Sequence, residues 1–302
     1  MNETPPKAPS LRPASTVILV RENQTGLLQV YLLKRSAQSG FMAGKYVFPG
    51  GTLDASDLDI AFWKRHVDLK ADDVDRRLGG GLPAKDIYAY GVAAIRETLE
   101  EAGVFLASRD SGNPSDYERI AGLRMNQELS AHWFRDLIET EHWMLQFSQL
   151  ARWSQWITPT RMKKRYDTRF FLAFMPEEQV CAPDAWETVH GIWVSPEEGL
   201  AGNLSGEIPL SPPTVISLHQ LLAYRDMKVL KQETATRPWG EAMAPNMVVT
   251  PAGPIILEPW DPEWHRDTVE VDLDYLLNNI LPVGEPMSRI WLHDGLWRPV
   301  RI

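Results

Sequence analysis

The chain has 302 residues, 44% of them apolar and 24% charged, with a formal net charge of −9. That is an ordinary soluble composition, long enough for one full core or a core plus an extension. The negative balance argues against broad nucleic-acid binding, which needs basic surface, but allows a small anion to be drawn into a local basic pocket. Cys181 is the single cysteine, so no intramolecular disulfide is possible. No apolar run reaches the length of a membrane span. The Pro-rich start lacks an apolar signal core and the end lacks Ser-Lys-Leu, so the expectation is a cytoplasmic protein with neither nucleic acid nor membrane as partner.

Residues 1–13 read as a disordered tail. Ser15–Arg21 and Leu27–Lys34 are β-rich runs around Asn23–Gly26, a hairpin signal. A Gly-rich loop follows from Arg35 to Gly51. Asp54–Pro83 is polar and helical in composition, and is expected to leave the core as a surface excursion. It ends in Gly79-Gly80-Gly81, which no Lys-Ser/Thr follows, so it is not a P-loop. Gly91–Val104 (GVAAIRETLEEAGV) is an amphipathic helix stopped at Gly103, where a left-handed residue is cheap. Phe105–Ala107 should be a strand, and about 115–150 a helical insertion whose aromatic residues, Trp133 and Phe134 among them, read as core. Thr168–Phe174 is a β-rich run preceded by a concentration of Arg161, Lys163, Lys164 and Arg165, either a solvated turn or a phosphate-facing loop. Ala185–Val194 carries Glu187 ahead of a Trp-bearing strand, and Glu198 falls in the first turn of the next helix. Thr214 is a plausible N-cap for a further helix. From 226 to 302 the pattern changes to a C-terminal extension with an Asp294-Gly295 hairpin signal. A cover over the active-site edge and a homodimer surface both suit it.

The chemistry concentrates on the helix. At about 100° per residue, with Glu97 as zero, Glu100 falls near 300° and Glu101 near 40°. Val92, Ile95, Leu99 and Ala102 occupy the opposite side. Three carboxylates on one arc repel each other, and a hard divalent cation with oxygen ligands would relieve that repulsion.

Residue order sharpens the reading. Arg96-Glu97-Thr98-Leu99-Glu100-Glu101-Ala102-Gly103-Val104 resembles the second half of the Nudix box, with Thr98 where an aliphatic residue is usual. Phe48-Pro49-Gly50-Gly51 with Asp57 resembles the first half, Asp57 standing where the family has Glu. Thr52–Ile95 separate the halves, more residues than the family pattern places there. Such a split box resembles the long-insertion subfamily that includes the mammalian peroxisomal coenzyme A diphosphatase. Gly44–Gly51 also resembles part of the signature of coenzyme A-cleaving members, although Gly40 occupies the place of an Arg.

The resemblance implies an α/β Nudix fold, an α/β/α sandwich around a mixed sheet, over 14–225, with insertions at about 54–83 and 115–150. It implies hydrolysis of a diphosphate linkage with Mg²⁺ or Mn²⁺ as cofactor. Glu97, Glu100, Glu101 and Glu187 are then the metal candidates, and Glu97, Glu100 and Arg96 the catalytic ones, Arg96 as an orienter of a box carboxylate. Arg35, Gly50, Gly51, Arg161, Lys163 and Arg165 are the candidates for contacting substrate. Coenzyme A or an acyl derivative is the substrate implied first. NADH or ADP-ribose, and a nucleotide-binding regulator that no longer cleaves, stay open beside it.

Overall fold

Alternation along the first two strands builds the frame. In the computed structural model, which describes residues 10–110, 112–126 and 128–301, β1 (Leu11–Glu22) and β2 (Leu28–Arg35) form the expected antiparallel hairpin with Val20 opposite Val30. Asn23 closes its turn by accepting from the backbone N–H groups of Thr25 and Leu27, as Asx turns do. Side chains of successive residues point to opposite faces. Val17, Leu19, Tyr31 and Leu33 therefore enter one core, and Ile18, Val20, Val30 and Leu32 enter another. Burial on both faces explains why these strands read as nearly continuous apolar runs.

Seven more strands follow in the body: β3 (Tyr46–Val47), β4 (Gly50–Thr52), β5 (Ala107–Ser108), β6 (Met144–Leu145), β7 (Ala151–Ile157), β8 (Arg165–Phe174) and β9 (Thr188–Val194). The main sheet runs β3-β2-β1-β8-β7, with β4 paired to β1 and β9 to β2. It is mixed: β1 and β8 are parallel and its other pairings are antiparallel. The box helix, Ala84–Ala102, covers one face. Helices Pro196–Ser205 and Pro212–Leu221 cover the other. This is the expected α/β/α sandwich. Glu198 sits in the first turn of Pro196–Ser205 and closes a capping box with Ser195, satisfying backbone donors at the helix start.

Four expectations are corrected. Asp54–Pro83 is no surface excursion: Phe62, Trp63, Val67, Val74 and Leu78 are buried in the same core as the box helix. Residues 1–9 of the expected tail lie outside the described residues, but Leu11–Pro13 belong to β1, opposite Arg165–Asp167. The strand after the box helix is Ala107–Ser108, not Phe105–Ala107. Ser211 rather than Thr214 is the N-cap position of Pro212–Leu221, because Pro212 and Pro213 suit the first helical turn.

The later strands, β10 (Asn246–Thr250), β11 (Gly253–Leu257), β12 (Arg289–His293) and β13 (Leu296–Pro299), form an antiparallel meander. Asp294 and Gly295 turn it at φ +49° and +73°, the two positive φ values a tight hairpin needs. This sheet has two apolar faces. Val248, Ile255, Leu257 and Trp291 build a small core of their own, while Met247, Ile256, Ile290 and Trp297 pack on the second core of the body.

Candidate active site

The two halves of the split box meet through buried charge. Arg96 is 4% exposed. Its Nε and Nη2 donate to the two oxygens of fully buried Asp57, at 3.2 and 2.8 Å, across 39 residues. The same guanidinium donates to Thr52 O at 3.0 Å and to Glu97 Oε1 and Glu100 Oε2 at 2.8 Å each. One arginine thus ties strand, insertion and helix together and bonds two box carboxylates.

Glu97 and Glu101 face a cavity of about 390 Å³ that Gly50 and Gly51 also line. Glu101 accepts from the backbone N–H of Gly50 at 2.8 Å. A Cβ on Gly51 would lie 2.4 Å from Glu97 Oε1, and one on Gly50 2.3 Å from Ser15 O. Both glycines are therefore close-approach positions. Glu100 does not line this cavity. It turns back to Arg96, and its other oxygen accepts from Trp133 Nε1 at 3.2 Å.

Arg35 stands between two carboxylates, 3.7 Å from Glu101 and 3.6 Å from Glu187. Arg35 and Glu187 both line the cavity, and the Glu187 side chain is 68% exposed. Arg161, Lys163 and Arg165 do not line it, whereas Thr158, Pro159, Met162 and Tyr166 of the same segment do. Tyr166 makes an edge contact with Phe41, and Lys164 Nζ approaches Gly40. The basic loop is thereby a rim, with Arg161 3.9 Å from Asp267 and Arg165 donating to Thr158 O at 3.1 Å.

Comparison with known proteins decides the family. The family described as NUDT19 Nudix domain matches residues 69–221, just over half of the chain. The chain belongs to this Nudix family. It is 26% identical to a Xenopus laevis protein named acyl-coenzyme A diphosphatase NUDT19, covering 91% of this chain and 83% of that one. With the human protein of the same name it is 29% identical, over 80% and 73%. A Nudix hydrolase structure from Alicyclobacillus acidocaldarius shares the fold with a TM-score of 0.56 at 23% identity, covering 76% of this chain and 99% of that one.

Electrostatics of the Nudix box follow from its burial. Desolvation raises the pKa of Glu97, and repulsion from Glu100 adds to it against the pull of Arg96. Glu101 is raised well above the usual carboxylate range by burial and then by the charge of Glu97. Burial also lifts Glu100 and Asp57, in each case outweighing Arg96. Burial alone would lower Arg96, but Glu97, Asp57 and Glu100 together push it up, so it stays charged. Among the described residues no three acidic, His or Cys side chains converge on one cation position. Glu97, Glu101 and Glu187 all line the cavity, and Glu97 and Glu101 are the two of them carried by the box helix. Two carboxylates with open space beside them fit Mg²⁺, which takes one or two such ligands and fills the rest with water and phosphate oxygens.

Further contributors escaped the sequence reading. Arg12 lines the cavity, although its segment read as tail; β1 carries it beside Tyr166. Trp133 read as core, yet its indole N–H positions Glu100. Pro245, Met247, Ile256 and Trp297 line the cavity from beyond residue 226. No local signal marks any of them, because each reaches the site through tertiary packing.

Proposed function

We propose that the protein hydrolyses a diphosphate linkage in coenzyme A or acyl-coenzyme A, giving 3′,5′-ADP and (acyl-)4′-phosphopantetheine. It is a Nudix pyrophosphohydrolase. The observation that carries this reading is the convergence of Glu97, Glu101 and the Gly50–Gly51 backbone on one cavity. Glu97 and Glu101 would hold the divalent cation, Mg²⁺ or Mn²⁺, and Arg96 bonds Glu97 and Glu100. When bound, the cation supplies charge neutralisation on the phosphoryl oxygens and activation of water. Arg35 offsets the carboxylates around it, and we assign Glu187, exposed and lining the cavity, to accept the proton of the attacking water. The curated relatives named acyl-coenzyme A diphosphatase, matched over most of their length, support the substrate class. So does the rim of Arg161, Lys163 and Lys164, whose charge suits a nucleotide bearing a 3′-phosphate.

The test is a product-resolved assay over coenzyme A, 3′-dephospho-coenzyme A, NADH and ADP-ribose, with and without Mg²⁺. Metal-dependent release of 3′,5′-ADP, with coenzyme A favoured over its dephospho form, is expected. A higher specificity constant for NADH or ADP-ribose would move the enzyme to that substrate class, and binding without turnover would make it a nucleotide-binding regulator.

A further inference from the structure

Resting on the reading above, we propose that the C-terminal meander forms the subsite for the pantetheine arm and acyl group, so that residues 246–299 set substrate preference from outside the matched Nudix segment. Within the meander, Met247 stands directly opposite Ile256, and both line the cavity with Trp297. The sheet is fixed to the body, not merely laid against it. Ile157 N–H donates to Met243 O at 2.8 Å, and Met243 N–H to Gln155 O at 2.7 Å. Fully buried Asn203 donates to Trp297 O at 2.7 Å and accepts from Leu210 N–H at 2.9 Å. The wall is therefore held against β7 and the helix Pro196–Ser205.

Charge decides which half of the substrate meets it. The diphosphate would lie beside the cation that Glu97 and Glu101 would hold, next to Gly50. Two cations line the cavity: Arg35, engaged by Glu101 and Glu187, and Arg12, which pairs in register with Tyr166 beside the segment that carries Arg161, Lys163 and Lys164 between the lining residues Thr158 and Tyr166. A nucleoside carrying a 3′-phosphate is drawn to that rim. The lining side chains contributed by the meander segment, Pro245, Met247, Ile256 and Trp297, carry no charge. The uncharged half of the substrate is the one that can be buried against them without an unpaired ion.

The experiment measures kcat/KM of the full chain for coenzyme A and its acetyl, hexanoyl and decanoyl thioesters, together with inhibition by 3′,5′-ADP. Met247→Ala and Trp297→Phe are the variants, with Tm as a control for folding. Met247→Ala should lose about tenfold on decanoyl-coenzyme A, as lost apolar contact in a pocket does, with progressively smaller losses as the chain shortens. Inhibition by 3′,5′-ADP should not change. Equal losses on all thioesters with weaker 3′,5′-ADP inhibition would place the nucleoside against the wall and overturn the proposal. Unchanged constants in both folded variants would overturn it as well. Absence of coenzyme A cleavage by the wild type would instead overturn the substrate reading on which it rests.

Discussion

Glu258 follows β11, two residues beyond the cavity-lining Ile256, and offers a measurement of how tightly the meander is sealed. Its side chain is fully buried, and among the described residues neither carboxylate oxygen has a hydrogen-bond partner. Burial alone pushes its pKa from 4.5 up to about 8. The native state therefore keeps a proton that the unfolded chain releases above pH 4.5, so stability falls as pH rises toward 8 and levels off beyond. The interval from 4.5 to about 8, at about 1.4 kcal/mol per pH unit, amounts to roughly 5 kcal/mol. Glu258→Gln keeps the shape and cannot ionise. Below pH 5 variant and wild type should be similarly stable. The variant should then gain steadily, and lead at pH 8.5 by several kcal/mol, a difference on the order of 10 °C in Tm. Urea unfolding of both proteins at intervals from pH 5 to 9 reads this directly. A stability difference that stays constant across that range would refute the argument, because it would mean that the carboxylate is as well accommodated as the acid.

Three further outcomes follow from the site. Glu101→Gln keeps an acceptor for Gly50 N–H but loses the charge, so turnover should fall by about 10²–10³-fold and need more Mg²⁺; an unchanged Mg²⁺ titration would remove Glu101 from the metal site. Gly51→Ala puts a methyl group 2.4 Å from Glu97 Oε1, and since a flexible carboxylate can yield, the protein should fold normally while kcat drops about 10–100-fold; normal kcat would show that the position of Glu97 is not critical. Asp57→Ala strips buried Arg96 of its bidentate partner, at a cost of about 3 kcal/mol, and a loss below about 1 kcal/mol in urea unfolding would mean that Glu97, Glu100 and Thr52 O suffice.

What could be read from the sequence was what local geometry encodes. Helical spacing put Glu97, Glu100 and Glu101 on one arc, of which Glu97 and Glu101 line the cavity while Glu100 turns back to Arg96. Gly103 ended the helix at φ +73°, and nearly continuous β-rich runs marked β1, β2 and β8. Asp294-Gly295 named its own turn. That the Asp57 half of the box meets the Arg96 half needed the family resemblance, since nothing in the stretch between them states that the chain returns.

The rest was illegible for a physical reason that the insertion shows plainly. Phe62, Trp63, Val67, Val74 and Leu78 are buried, but Phe62, Trp63 and Val74 stand on helices as short as Ile60–Trp63 and Ala71–Val74, Leu78 on the short turn Asp75–Gly79, and Val67 on an isolated bridge to Leu145. A four-residue helix completes barely one turn, so it leaves no period in the apolar pattern, and the charged residues between these anchors make the stretch look solvated. The anchors are completed from far away: Trp239 Nε1 donates to Leu78 O across 161 residues at 2.9 Å. Arg12 and Trp297 follow the same logic, one carried into the site by parallel pairing with β8 and the other by a sheet packed on the body. Side chains that reach a cavity through tertiary contact leave no spacing rule behind. That is why the carboxylates, placed by one helix, were readable, while the apolar wall opposite them appears only in the folded chain.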